Sequence, residues 1–236
     1  MHAPVKTTDQ GFVISSPLLE CELSGESFNL HQYAETNNIR SNNNGRAAVA
    51  FIHLGSERGV LRHYYRGGMA AKLSDDHFIW SGINSTRAIR EYRLLEWMTK
   101  LNLPVPVPLG ARVIKTGLFY TCDLITREVV GTETLANKLY CCEIDRQHWH
   151  AVGTAIRSLH RHGLYHADLN ANNILITDNG AVTIIDFDRC SRRTGSRWKA
   201  DNIKRLKRSL DKLSARGAVN HFNPGSWQAL LDSYQQ

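Results

Sequence analysis

Nowhere in this chain of 236 residues does an apolar run approach the ~18 residues that a membrane-crossing helix needs, so the sequence predicts no such helix. Cysteine is sparse. Five thiols, an odd number with no C-x-x-C spacing, spell neither a disulfide framework nor a structural zinc site. No internal repeat is present, and low complexity is confined to one Asn triplet. The first ten residues lack the charged-then-apolar order of a secretory leader, which predicts that the chain stays in the reducing compartment where it is made. Proline is scarce too, and three of the six sit in the stretch LPVPVP, which predicts a stiff, extended connection.

The composition, 42% hydrophobic and 22% charged, is that of a globular chain long enough to bury a core, which excludes disorder as its main state. The net charge of +7 is unevenly placed. Between Arg189 and Arg216 stand eleven Lys and Arg against two Asp, +9 locally, so the rest of the chain sums to about −2. Such a patch suits an acidic partner, whether nucleic acid, anionic membrane or phosphorylated substrate, unless it is simply a solvated helix face.

Hydrophobic periodicity divides the chain. Residues Ala47 to Leu54 and Val60 to Tyr65 read as an antiparallel hairpin turning at Gly55 to Gly59, and a helix follows from Thr86 to about Thr99, capped by Asn84, Ser85 or Thr86. Strand-like segments lie around Arg112 to Ile114 and Leu118 to Ile125. Beyond Thr126 two amphipathic helices are marked by Trp149, Val152, Ile156 and Leu159 and by Ile203, Leu206, Leu210 and Leu213. A strand-rich first half, about 1–125, thus precedes a mainly helical second half, about 126–236. The pair His148 and His150 diverges on its helix and predicts no metal site.

The chemistry concentrates in YHADLNANNILITDNGAVTIIDFD. Ile174 to Ile176 and Val182 to Ile185 are short β-runs joined by Asp178-Asn179-Gly180, a strong hairpin signal. Asn173 enters that hairpin and Asp186 leaves it, so an amide oxygen and a carboxylate come within roughly 5 Å, the cross-strand distance. Two hard oxygen ligands at one spot suit Mg²⁺ shared with nucleotide phosphates, and Asp168 on the preceding loop is within reach as a third.

The pattern H-x-D-L-x-x-x-N, with D-F eighteen residues after the first Asp, resembles the catalytic core of the protein-kinase-like phosphotransferases. That resemblance implies a two-lobed α+β fold with a strand-rich N-lobe carrying one helix and a reduced helical C-lobe. It implies Asp168 as catalytic base, His166 as support of the site, and Asn173 and Asp186 as metal ligands, with ATP and Mg as cofactors. In the N-terminal half Gly45 lies where a phosphate-covering loop is expected. Arg62 stands where the family usually has its phosphate-gripping Lys, with Lys72 as competitor for that role and Glu91 as the expected partner of either. Ala167, Asp188 and the absence of A-P-E depart from the protein kinases, and only about fifty residues follow Asp188, which favours a small-molecule, sugar or lipid acceptor over a peptide.

The segments LRHYYRGGMAAKL, TRAIREYRLLEW, LPVPVP, HADLNANNILI, IDFDR and WKADNIKRLKRSL together resemble the lipopolysaccharide-kinase family, to which bacterial kinases of the sugar acid 3-deoxy-D-manno-octulosonic acid (Kdo) belong. Membership implies ATP-dependent phosphorylation of a Kdo hydroxyl on the anionic glycolipid Kdo-lipid A. It also implies peripheral contact with the cytoplasmic face of a bacterial inner membrane, and no nucleic-acid or protein partner. Two other readings are a kinase of another small molecule, disfavoured because antibiotic-type acceptors are cationic, and a non-catalytic kinase-like module, disfavoured by intact Asp168, Asn173 and Asp186.

Overall fold

The computed structural model describes residues 3–9, 11–20, 22–30, 33, 39–41, 48–66, 76–217, 219 and 221–236. The architecture is α+β, divided into two compact units: Met1–Trp97 with Val107–Glu128, and Met98–Pro106 with Val129–Gln236.

The first unit is built on an antiparallel sheet of β1 (Lys6–Thr8), β2 (Gly11–Ser15), β3 (Ile39–Ser41), β4 (Ala48–Leu54), β5 (Glu57–His63), β6 (Phe78–Ile79), β7 (Pro108–Thr116) and β8 (Phe119–Arg127). The order is β1-β2-β7-β8-β5-β4-β3, with β6 also on β8. Val13, Leu23, Phe28, Ala50, Ile52, Leu61, Leu109 and Ile125 form one buried cluster on it, each fully buried large side chain contributing about 1.5–3 kcal/mol. The expected hairpin is present with a shorter turn. Glu57↔Leu54 is already a ladder pair, so only Gly55 and Ser56 turn the chain, with Gly55 at φ +61°. Gly59 belongs to the strand: a Cβ there would meet Ile125 and Ile52 side chains at 3.0 and 3.1 Å, so close packing and not turning selects glycine.

Helix α1 (Arg87–Lys100) buries Ala88, Ile89, Tyr92 and Leu95 along one side. Thr86 precedes it, and its hydroxyl donates back to the Ile83 carbonyl (2.7 Å). A second polar layer lies on three neighbouring strands, where buried Asp123 accepts from Arg112 Nε (2.9 Å) and pairs with His63 Nδ1 (2.6 Å). Burial alone lowers the His63 pKa, but the bonds to Asp123 and then Asp76 outweigh it and hold the group above its ordinary value.

The second unit holds β9 (Thr132–Thr134), α2 (Leu135–Cys141), α3 (Arg146–Arg161), β10 (Leu164–Tyr165), β11 (Ile174–Thr177), β12 (Val182–Ile184), β13 (Ser191–Arg192), α4 (Arg197–Ala215) and α5 (Pro224–Gln235). Side-chain caps start three of its helices: Thr134 accepts from Asn137 N–H, Asp145 from His148 N–H and Asn223 from Ser226 N–H. Strands β12-β11-β9 form one small sheet and β10-β13 another. The proline-rich connection reaches this unit through the Pro104 carbonyl, which accepts from Ile184 N–H (2.8 Å). Helices α3 and α5 pack closely at Gly153, where a Cβ would stand 2.1 Å from Ser233 Oγ and 2.2 Å from the Leu230 carbonyl oxygen.

Helix α4 places Ile203, Leu206 and Leu210 in the core as predicted, with Leu213 half-buried. Its expected cationic side is smaller than the sequence suggests, because several members of the patch have partners inside the unit. Arg205 pairs with Asp168, Lys207 pairs with Asp211 (2.5 Å) over the Phe222 and Trp227 rings, and Arg193 covers the Tyr165 ring at 3.4 Å. Lys204, Arg208 and Lys212 remain exposed along the helix. His148 and His150 are each engaged locally, by Asp145 (2.6 Å) and Arg146 (3.3 Å). Among the described residues no helix is long and apolar enough to cross a membrane.

Candidate active site

The loop between β10 and β11 carries Asp168, and its own side chains brace it. Asn170 Nδ2 and Asn173 Nδ2 both donate to the Asp168 carbonyl at 2.9 Å, while Asn170 Oδ1 accepts from Asn172 N–H at 2.8 Å. Leu169 and Ala171 are buried beneath it. The Asn-rich composition is therefore a set of local backbone clamps. The Asp168 side chain itself stays 50% exposed, with Oδ1 accepting from Arg205 Nη2.

His166 is buried and fixes both ends of the site. Its Nδ1 accepts from Asp168 N–H (3.2 Å), and its Nε2–H donates to the Ile185 carbonyl (3.0 Å) beside Asp186. That network assigns the neutral Nε2–H tautomer, and burial, only partly offset by the bond to Ile185, lowers its pKa. Phe187 meets the ring edge-on at 4.9 Å. His166 is thus a positioning residue.

The hairpin after the loop forms as predicted, but its register is one residue from that expected, with Ile185 and not Asp186 opposite Asn173. Ile174 pairs with Ile184, and Ile185 N–H donates to the Asn173 carbonyl (3.0 Å), so Asp186 leaves the hairpin one residue beyond Asn173's partner. Asp186 adopts φ +64°, a region that Asp tolerates better than most residues. Because the Asn173 amide nitrogen is committed to the Asp168 carbonyl, its oxygen is the end left for a cation, and an amide oxygen plus a carboxylate is a donor set that fits Mg²⁺. Among the described residues no three His, Cys, Asp or Glu side chains are grouped to hold a metal ion, and the Asp168 carboxylate is paired with the Arg205 guanidinium.

In the first unit Arg62 and Glu91 are brought together. Arg62 Nη2 reaches Glu91 Oε2 at 2.6 Å, and Tyr64 OH donates to the same oxygen at 2.6 Å. The Glu91 side chain is 3% exposed, so an inward carboxylate has found the cation that burial demands. Tyr64 lies under the Arg62 guanidinium at 4.7 Å, and burial first, then the Glu91 charge, pushes its pKa well above the ordinary value. Gly45 and Lys72 fall outside the described residues.

Sequence reasoning missed Asn202. This buried side chain grips the His166 backbone from both sides, Nδ2 donating to its carbonyl (2.7 Å) and Oδ1 accepting its N–H (3.0 Å), and the same Oδ1 accepts from His160 Nε2–H (3.2 Å). Ser209 Oγ accepts from Ala171 N–H (3.4 Å). Asn202, Arg205 and Ser209, at i, i+3 and i+7, thus form one stripe of α4 along the Asp168 loop. The available signal was Asn202 itself, a polar residue in line with Leu206 and Leu210 on the apolar side of the helix.

The model of the Lipopolysaccharide kinase (Kdo/WaaP) family matches residues 31–234, nearly the whole chain. The chain belongs to this family. It is similar to 3-deoxy-D-manno-octulosonic acid kinase of Vibrio vulnificus (strain YJ016), 33% identical over 208 residues covering 88% of each chain. The enzymes of that name from Pasteurella multocida (strain Pm70) and Haemophilus influenzae (strain 86-028NP) are 38% and 34% identical, covering 81% and 91% of this chain and 82% and 92% of their own. Membership makes this member a phosphotransferase of the kinase class.

Proposed function

We propose that this lipopolysaccharide-kinase family member transfers the γ-phosphoryl group of ATP to a hydroxyl of the Kdo residue on Kdo-lipid A. The observation that carries the chemistry is a half-exposed carboxylate, Asp168, on a clamped loop anchored by buried His166, Leu169 and Ala171, beside strand ends that offer Asn173 and Asp186. The acceptor is taken from the names of the relatives, each a kinase of this sugar acid. The strand-rich unit corresponds in this reading to the nucleotide lobe, and the helical unit to the catalytic lobe, of a protein-kinase-like fold.

The step needs positioning more than covalent chemistry. The acceptor oxygen forms its bond to the γ-phosphorus as the bond to the bridging oxygen breaks and ADP leaves, and the hydroxyl proton passes to Asp168. His166 and Asn202 hold that carboxylate's backbone fixed. Asn173 and Asp186 would hold Mg²⁺, which when bound neutralises charge on the phosphates. Arg62, paired with Glu91, is in this reading the cation that meets phosphate oxygens. Nucleotide-dependent phosphate transfer to purified Kdo-lipid A tests the proposal: no labelled product, with ATP and Mg²⁺ supplied, refutes it.

Arg62→Ala is expected to raise the KM for ATP by ten- to a hundredfold, on the scale of a lost charge-assisted contact. Arg62→Lys, which keeps a cation for Glu91, should stay within about tenfold of wild type. Nucleotide titrations of both variants decide it, and an unchanged KM in Arg62→Ala removes Arg62 from the phosphate site.

The glycolipid acceptor places the working enzyme at the cytoplasmic face of the inner membrane in this proposal. Lys204, Arg208 and Lys212 are the cations of α4 that support it, each near-surface charge contributing about 1 kcal/mol on anionic bilayers. Wild type is expected to float with anionic liposomes at low salt and to sink at high salt, and the triple Gln variant to lose flotation. Wild type that stays at the bottom at low salt ends the membrane reading.

A further inference from the structure

Arg205 stands in the one place on α4 where a cation touches the proposed catalytic base. Helix packing sets its position: Asn202 on one side and Leu206 on the other are buried, so the helix carries Arg205 to Asp168 across 37 residues of sequence. A guanidinium has five N–H donors in a planar fork. Arg205 uses one nitrogen, Nη2, on Asp168 Oδ1, and its other donors meet no partner among the described residues. The side chain is 44% exposed, so the unused edge of the fork is open to a ligand. On the carboxylate, Oδ2 of Asp168 likewise accepts nothing from the described residues and is the oxygen left for the acceptor proton.

We propose that Arg205 is the specificity-determining residue for the acceptor, its guanidinium bridging Asp168 and a carboxylate on the sugar whose hydroxyl is phosphorylated. The inference rests on the acceptor reading above and deepens it. A planar carboxylate matches the free edge of the fork bidentately, a fit that a lysine ammonium does not reproduce. The relatives are named for an octulosonic acid, which carries such a group on the sugar itself. One cation bonded to both base and acceptor would fix the distance between the attacking hydroxyl and Asp168, so the same contact that selects an acid also orients it. A neutral sugar of the same shape would leave the guanidinium with only one anionic partner.

The test uses the full-length enzyme with Kdo-lipid A and with its Kdo methyl ester as acceptors. Wild type should prefer the free acid by roughly ten- to a hundredfold in kcat/KM, the factor that a charge-assisted bidentate contact supplies. Arg205→Gln should use acid and ester almost equally, with the loss falling mainly on the KM for the acid, and Arg205→Lys should recover part of the preference. If Arg205→Gln slows both acceptors alike and keeps the wild-type ratio, Arg205 serves only to position Asp168 and the inference fails. If the wild-type enzyme shows no preference, the carboxylate is not read and the inference also fails. Transfer to neither acceptor overturns the acceptor reading itself, an outcome distinct from both, and this inference with it.

Discussion

Asp168→Asn should lose between a hundred- and ten-thousandfold in kcat while folding normally. That is the range for removal of a general base from a positioned proton transfer. The amide keeps the shape of the carboxylate and still offers an oxygen to Arg205, and the site is half exposed, so stability should change by no more than about 0.5 kcal/mol. The KM for ATP should hardly move, because the carboxylate serves the acceptor and not the nucleotide. Asp186→Asn gives the contrast: it retains a side chain that tolerates φ +64° but surrenders the charge offered to the metal, so nucleotide binding itself should fail. Steady-state kinetics with ATP and acceptor varied in turn separate the two, and more than about a tenth of wild-type kcat in Asp168→Asn would remove it from the role of base.

Asn202→Leu should cost about 3–5 kcal/mol of stability. The substitution fills a similar volume but strands three buried groups, the His166 N–H, the His166 carbonyl and His160 Nε2–H, and each unsatisfied group costs about 1–3 kcal/mol. The His160 ring gains no relief by taking up a proton, since burial already pushes its pKa down to about 4. Urea denaturation reports the loss as a lower midpoint at unchanged slope. Activity should fall further than the unfolded fraction explains, because His166 N–H and C=O are the points from which the Asp168 loop is hung. A variant as stable as wild type would show that Asn202 is not what clamps that loop.

The Asp168 loop and its hairpin were legible because their signals are local. An Asn-Gly turn between two β-runs fixes which residues enter and leave, and H-x-D with Asn five residues after the Asp describes one continuous loop. Helices α1, α3 and α4 were legible from periodicity, and the ends of α1 fall within one residue of the expected ones. The hairpin turn was read too long because Gly59, which looks like turn chemistry, is selected by Ile52 and Ile125 packed on its bare Cα. Strands β1 and β2 carry too few residues to declare a period before β2 has β7 to pair with. Glu91 was legible as an inward carboxylate, whereas Tyr64, two residues beyond Arg62, was invisible as a further partner until strand and helix were packed together. Long-range partners of the loop were hidden for the same reason: 36 residues separate Asn202 from His166, and nothing in the local pattern states which polar residue of a basic helix turns inward.

The polar stripe of α4 makes that helix a ruler laid against the Asp168 loop, with marks at Asn202, Arg205 and Ser209. Each residue of an α-helix advances the chain by about 100° around the axis and 1.5 Å along it. An insertion or deletion of a single residue between Asn202 and Ser209 therefore swings later marks to another side while the first stays in place. Substitutions along this segment can be graded by side chain, but changes in its length cannot be absorbed at all. Length polymorphism within this enzyme should accumulate in the loops on either side of α4 and spare the span from Asn202 to Ser209 that the loop reads.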